Sequence, residues 1–339
     1  MQVNKKEFRD TLEGVLPGLS KREVTDQANC FVFKDDKVIT YNDEVAVFHP
    51  IAPGLDGAVK AEEFFAVLKQ FRTKMVNVNV EEGEIVISND KSRAGVPLTS
   101  DIRLPFDSLD IPEDWAELQE DFVSILSFVS FCCGKSLSNE LFQYILVDND
   151  VVMARDETKG MRYFLKEEGM PRFFICGRYI PILAEMDPTH LHIDKGWIFF
   201  KNKKDVIMAI RTIDEREELD VADEHFDFDG IIVKLPPEMK DAIDGARIFT
   251  KENRNDEYIT IKASKGTLML IGEGDGGWYK ERFKVKSSET FKFNIESEIV
   301  LDALKIEADI IVGDKAVKIE TDDYQYMACM RMDDDSEEI

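Results

Sequence analysis

Hydrophobic and polar positions along this chain switch repeatedly between a helical period and strict alternation. Phe8, Leu12 and Val15 recur at i, i+4 and i+7, which predicts an amphipathic helix stopped by Pro17-Gly18. Strand patterns follow at Asn29–Phe33, Lys37–Thr40 and Val45–His49. A second helix is predicted from Gly57 to Thr73, with Ala61, Phe64, Phe65, Leu68 and Phe71 on its buried face. Val76–Val80 and Glu84–Ser88, split by Glu82-Gly83, read as a hairpin.

The same succession returns twice. Asp107–Glu117, with Pro112 and Trp115, reads as a connector into Asp121–Cys133, where Phe122, Ile125, Leu126, Val129 and Cys133 form one helical stripe. Strands are predicted at Leu141–Val147 and Val151–Ala154, a short helix at Arg178–Met186, and strands at Trp197–Phe200 and Val206–Ile213. The final third opens at Pro236-Pro237, well suited to a helix's first turn, and Met239, Ile243 and Ala246 supply the apolar face. Its second helix is Ser297–Lys305. The pattern predicts three α+β units of about 110 residues each, without a Pro/Gly/Ser linker between them.

Composition narrows the function. The chain has 339 residues, 44% of them hydrophobic, enough for two or three ordinary cores. With 43 basic and 68 acidic residues it carries a formal charge of −25, so any duplex contact must use a locally basic surface on an acidic body. Cys30, Cys132, Cys133, Cys176 and Cys329 are odd in number and form no C-x-x-C pair, which signals neither a disulfide framework nor a zinc site and fits a reducing cytosol. No apolar run reaches bilayer-spanning length, and Met1–Asp10 is too charged for a signal peptide. A cytoplasmic protein with no membrane partner is expected.

The end of the chain carries the sharpest signal. Phe293-Asn294-Ile295-Glu296-Ser297-Glu298-Ile299-Val300-Leu301-Asp302-Ala303-Leu304-Lys305 leads through two strand patterns to Tyr326-Met327-Ala328-Cys329-Met330-Arg331-Met332. This resembles the end of the bacterial β sliding clamp (DNA polymerase III β subunit family), where F-N-V-x-x-V-L-x-A-L-K precedes two strands and a finish near M-P-M-R-L. Thr158-Lys159-Gly160-Met161-Arg162-Tyr163 is similar to that family's T-D-G-H-R-L segment, departing at Lys159 and Met161. Cys329 stands where the family has proline, and Asp333-Asp334-Asp335-Ser336-Glu337-Glu338-Ile339 continues past the family's end.

The resemblance implies an α+β fold of three repeated clamp domains, each with two helices packed on antiparallel sheets, assembling into a ring. The expected divisions are residues 1–114, 118–230 and 231–332, with an acidic tail at 333–339. A head-to-tail homodimer would enclose double-stranded DNA without reading its sequence and tether a DNA polymerase after an ATP-dependent clamp loader opens the ring. No enzymatic activity and no cofactor or metal are implied. The resemblance assigns a partner-peptide pocket to Leu141, Thr158, Gly160, Met161, Arg162 and Tyr163, together with Asn294, Ala316, Met327, Cys329, Met330, Arg331 and Met332. Methionines suit such a site because an unbranched thioether repacks around different ligands. It assigns the dimer interface to a closing strand near Ile102 and Leu104 and a helix end near Ile248 and Phe249.

Basic residues away from the apolar helix stripes are the DNA candidates: Lys5, Arg9, Lys69, Arg72, Lys240 and Arg247, with Lys135 and Arg178 at helix ends in the second third. Solvated charges on exposed faces are the simpler account of any one pair; recurrence across helices favours a shared surface. Other motifs carry less. Gly272-Glu273-Gly274-Asp275-Gly276-Gly277 lacks the ending of a phosphate loop and reads as a flexible hairpin loop. His190 and His192 lack a third metal ligand, and Asp223–Asp229 lacks an organised nucleophile. Shortened, divergent family motifs fit a phage-encoded member of the family, and two rivals stay open: an acidic DNA mimic or polymerase-binding inhibitor, viral or not, that shares the fold but does not encircle DNA, and a metal-dependent hydrolase or nuclease using the acidic loops.

Overall fold

The computed structural model describes every residue except 23–24, 53, 135–138, 215–218, 220–224, 251–257, 287–288, 307–308 and 332–339. Its elements follow one order three times. The first run is β1 (Gln2–Asn4), α1 (Lys5–Gly14), β2 (Cys30–Lys34), β3 (Lys37–Tyr41), β4 (Val45–Pro50), β5 (Gly57–Lys60), α2 (Ala61–Gln70), β6 (Met75–Glu81), β7 (Glu84–Ser88) and β8 (Arg93–Thr99). The second is β9 (Ala116–Glu117), α3 (Phe122–Val129), β10 (Tyr144–Asn149), β11 (Val151–Arg155), β12 (Lys159–Phe164), β13 (Met170–Cys176), α4 (Ile180–Met186), β14 (Pro188–Asp194), β15 (Trp197–Asn202) and β16 (Ile207–Arg211). The third is β17 (Ile231–Val233), α5 (Met239–Thr250), β18 (Tyr258–Ser264), β19 (Thr267–Gly274), β20 (Gly277–Lys284), β21 (Phe291–Glu296), α6 (Ser297–Ile306), β22 (Ile310–Val312), β23 (Ala316–Glu320) and β24 (Tyr324–Cys329). Each run is therefore a short strand, a helix, four strands, a helix and three strands.

By contacts the chain forms two compact units, residues 1–128 with 171–217, and residues 129–170 with 218–339. In the first, one antiparallel sheet runs β1-β6-β7-β8-β5-β2-β3-β4-β16-β15-β14-β9. Phe64 of α2 organises the core beneath it. Its ring meets Phe8, Phe31 and Phe33 edge-on at 6.1, 6.4 and 6.1 Å. Burial of each such side chain is worth about 1.5–3 kcal/mol. Helix α1 starts where the Asn4 side chain accepts hydrogen bonds from the Lys6 and Glu7 N–H groups, covering donors that the first turn leaves unpaired.

In the second unit, strands follow the order β10-β11-β12-β24-β23-β22-β17, and a four-stranded sheet runs β20-β19-β18-β21. Helix α5 lies close on the latter because two glycines let it: a Cβ at Gly272 would fall 2.4 Å from the Ala246 carbonyl oxygen, and one at Gly245 2.8 Å from the Tyr279 ring. Ile259, Ile261, Leu268, Leu270 and Ile295 fill the space between.

The repeat makes two strand pairings equivalent. Strand β4, third after its run's first helix, pairs with β16, the last strand of the next run, from Ile207↔Phe48 to Ile210↔Val45. Likewise β12 pairs with β24, from Lys159↔Ala328 to Tyr163↔Tyr324. The corresponding third strand of the last run is β20, which ends its sheet, and the corresponding last strand of the first run is β8. Beyond β7, β8 pairs only through Ala58↔Thr99 and Val59↔Leu98 among the described residues.

Several expectations need correction. The helix expected over residues 57–73 is α2 alone, because Gly57–Lys60 pairs with β2 as a strand. Asp121–Cys133 is α3 followed by a 3-10 turn at Ser130–Cys132. Leu141 belongs to a 3-10 turn, Glu140–Gln143, capped by Asn139, rather than to the strand after it. Helix α5 begins at Met239, past the proline pair. Gly272 and Gly274 are not loop residues: β19 and β20 pair through Gly272↔Tyr279 to Gly274↔Gly277, leaving a two-residue turn.

Ile102 and Leu104 fall just past the strand expected to carry them. The first run's closing strand stops at Thr99, and both residues lie in the connector that follows. Leu104 is 3% exposed in a cluster with Val32, Phe48, Trp197 and Phe199, and Ile102 packs against it. Gln27, at φ 61°, holds that connector: its side-chain N–H donates to the Asp101 carbonyl at 2.7 Å, and its oxygen accepts from the Arg103 N–H at 2.8 Å.

Candidate partner groove and helix surfaces

The β12–β24 pairing brings most of the expected pocket together, but on two faces. Asp156 sets the entry to β12: its Oδ1 accepts from the Thr158 N–H at 2.7 Å, the Thr158 hydroxyl at 3.0 Å and the Lys159 N–H at 2.9 Å. Such a turn fixes register locally. Directly opposed residues in an antiparallel pair share a face, and successive residues alternate. One face therefore carries Gly160 with Met327 and Arg162 with Gln325, continued by Cys329 and its neighbour Ala316. The opposite face carries Met161 with Tyr326, both fully buried, and Tyr163 stacked on Tyr324 at 6.3 Å.

On the first face a cavity of about 150 Å³ is lined by Arg155, Thr158, Gly160, His225, Met327 and Cys329. Arg155 reaches across the Phe142 ring at 5.0 Å. Arg162 donates to the Gln325 Oε1 at 2.5 Å and lies 4.5 Å from the Phe226 ring centre. The nearly buried Lys318 ammonium donates to the Phe226 carbonyl at 2.8 Å and fixes that segment to the sheet. Cys329 is reachable, yet desolvation around its sulfur pushes the thiol pKa up, with Arg155 opposing.

A second cavity, of about 500 Å³, is lined by Phe293, Asn294, Val312, Gly313, Met330 and Arg331, among others. It exists because the chain leaves β24 along β21: the Arg331 N–H donates to the Asn294 carbonyl at 2.8 Å, and the Met330 N–H to the Lys315 carbonyl at 2.8 Å. Thr158, Gly160, Met327 and Cys329 thus line one cavity, and Asn294, Met330 and Arg331 the other. Leu141 and Ala316 are half-buried. Met332 and the acidic tail lie outside the described residues. The motif pointed to Thr158; Asp156, Arg155, His225 and Gln325 were missed, although Asp two positions before Thr is a readable turn signal.

Three of the eight expected DNA-facing cations are ion-paired in place. Arg9 pairs with Asp10 at 3.1 Å and Glu13 at 3.5 Å, Arg178 with Glu44 at 2.6 Å, and Arg247 with Glu298 at 3.0 Å. The Lys5 ammonium donates to the Phe71 carbonyl. Lys69 sits over the Phe65 ring at 4.2 Å, and Arg72 and Lys240 are exposed. Lys135 lies outside the described residues. Among the described residues the six α-helices contain seven basic and ten acidic residues, so they offer phosphate no net basic surface. At such a surface phosphate attraction is weak.

Ile248 is 68% exposed on α5, while the Phe249 ring stands 3.1 Å from where a Gly277 Cβ would lie. His190 and His192 occupy one face of β14, and among the described residues no group of three or more His, Cys, Asp or Glu is placed to hold a metal. No helix among the described residues is long and apolar enough to cross a membrane.

No family model matches the sequence, and no curated protein matches it. Solved structures do match, and they are bacterial DNA polymerase III β sliding clamps. The sliding clamp of Bartonella birtlesii, solved bound to griselimycin, has a TM-score of 0.83 at 14% identity, covering 98% of this chain and 99% of its own. The DNA polymerase III β chain of Streptococcus pneumoniae gives 0.82 at 13% identity, covering 98% and 99%. The β subunit of Thermotoga maritima gives 0.78 at 14%, covering 98% of each. At these identities the likeness establishes the α+β sliding-clamp fold.

Proposed function

We propose that this chain is the protomer of a DNA sliding clamp, a ring that encloses duplex DNA and holds a DNA polymerase through the groove on the Gly160–Met327 face. The observation that carries the reading is the repeated strand pairing. Within the chain, the third strand of one run joins the last strand of the next in β4–β16 and β12–β24, leaving β20 and β8 as the unmatched members of the series. A second copy in head-to-tail order supplies the missing partner at both ends, and two copies close the set. Uncovered strand edges favour such pairing. The expected domains, 1–114, 118–230 and 231–332, then become six equivalent blocks around a pore lined by helices.

Helices without a net basic surface fit enclosure better than adhesion. A protein retained by topology needs no tight phosphate contacts, and weak contacts let it slide. Loading would require a separate ATP-driven opener, and no catalytic step is assigned to the chain itself. A bacterial or phage-infected cytoplasm is the compartment this reading implies.

The −25 charge and the ion pairing of Arg9, Arg178 and Arg247 favour one second reading, an acidic clamp-fold protein that occupies a polymerase's clamp-binding peptide without encircling DNA. Light scattering separates them first. The ring reading expects twice the 38.8 kDa protomer mass; a monomer at micromolar concentration contradicts it.

A further inference from the structure

The face of the β20-β19-β18-β21 sheet turned away from α5 has a character unlike the rest of the molecule. Lys280, Arg282 and Lys284 stand exposed at alternate positions of β20, preceded in the same alternation by Trp278, which is 62% exposed. Pairing places Arg282 beside Met269, Met269 beside Lys262, and Lys262 beside Lys292, so one basic row crosses all four strands. Two carboxylates share the face, Glu273 opposite Trp278 and Glu296 at the end of β21. Five cations against two anions is a reversal of sign in a chain of −25. The Lys280 ammonium lies 4.8 Å from the Trp278 ring centre.

We infer that this sheet face is a second nucleic-acid site, separate from the helix surfaces, and that its ligand is an extended single strand. A row of cations at alternate positions of a strand repeats every ~6.8 Å, commensurate with phosphates on a stretched single strand. An exposed tryptophan at the end of the row adds a base-stacking platform, and a cationic track with an aromatic platform is the general construction of sequence-tolerant single-strand binding. An acidic polypeptide would satisfy the charges but has no use for the indole. Pairing of the β20 edge with a second copy would leave the face accessible, so this inference stands apart from ring closure.

The full chain titrated with a fluorescently labelled oligothymidylate tests it, with anisotropy and tryptophan emission read together. Trp197 is buried and Trp115 partly so, which makes Trp278 the exposed reporter. Binding with quenched emission is expected, with a log–log salt slope near −2.8 if Lys262, Lys280, Arg282 and Lys284 neutralise four phosphates at about 0.7 each. Lys280→Glu/Arg282→Glu/Lys284→Glu should weaken single-strand affinity at least tenfold with the far-ultraviolet circular dichroism of the protein unchanged. Trp278→Ala should abolish the quench and lower affinity several-fold. The inference is overturned if either variant binds the oligonucleotide like the parent. It is equally overturned if polyglutamate binds as tightly as the oligonucleotide and does so independently of Trp278, which would make the face an acidic-polypeptide site.

Discussion

Gly160 stands directly opposite Met327 in the β12–β24 pair, so the methionine side chain lies beside a position that has none. The floor of the groove is therefore shaped by an absence at one residue and a flexible thioether at the other. Truncating Met327 to Ala should cost a polymerase-derived clamp-binding peptide about 1–3 kcal/mol, as loss of a central anchor usually does. Met330→Ala should also weaken binding through the neighbouring cavity. Tyr163→Ala should have a smaller effect on affinity, because that ring stacks on Tyr324 on the other face. Isothermal titration of the three variants checks the order; a Tyr163 loss exceeding the Met327 loss would place the peptide on the wrong side of the sheet.

Cys329 reports occupancy of the same groove. Its thiol is accessible but its pKa is raised by desolvation, so alkylation by iodoacetamide should climb only at pH above the ordinary cysteine range, about 8.5. Saturating peptide should slow the modification at least several-fold, read by peptide mass mapping at a single alkaline pH. Equal rates with and without peptide would separate Cys329 from the bound ligand.

Leu104 and Ile248 should respond oppositely to the same insult. Leu104→Asp buries a carboxylate in the cluster beneath the connector and should lower thermal stability severely; even Leu104→Ala should cost about 2–5 kcal/mol. Ile248→Asp changes an exposed side chain, so the melting temperature of the protomer should hold while the dimer mass falls to that of the monomer. Calorimetry with light scattering measures both.

His49 makes the first unit acid-sensitive. Burial lowers its pKa from 6.5, with Lys204 adding to the effect and a hydrogen bond to the Pro50 carbonyl opposing. The unfolded chain binds the proton more readily than the folded one, so the contribution is complete above about pH 6.5 and is lost as pH falls through the folded value. The thermal midpoint should decline from pH 7 to pH 5, and His49→Gln should flatten that decline.

The fold was legible where side-chain period was strong. Phe8 and Leu12, the Phe64–Leu68 stripe and Met239–Ala246 all announce helices that exist. Errors fell where local pattern and long-range pairing conflict. Gly57–Lys60 continues a helical stripe but is captured as a strand by Cys30–Phe33. Gly272 and Gly274 look like loop residues because only the approach of Ala246 explains the first of them. At the groove, the motif located the strand, but alternation along β12 separates Met161 and Tyr163 from Gly160 and Arg162. Neutralisation of Arg178 by Glu44, 134 positions away, was invisible in sequence for the same reason.

Enclosure is read out by retention on circular duplex. After loader-assisted assembly, the protein should stay on a nicked circle through gel filtration in moderate salt and be released when one restriction cut linearises that circle. Long retention on the circle and rapid loss from the linear form are expected, with little dependence on DNA sequence. Equal loss from both forms, with the loader active and the dimer intact, would contradict it.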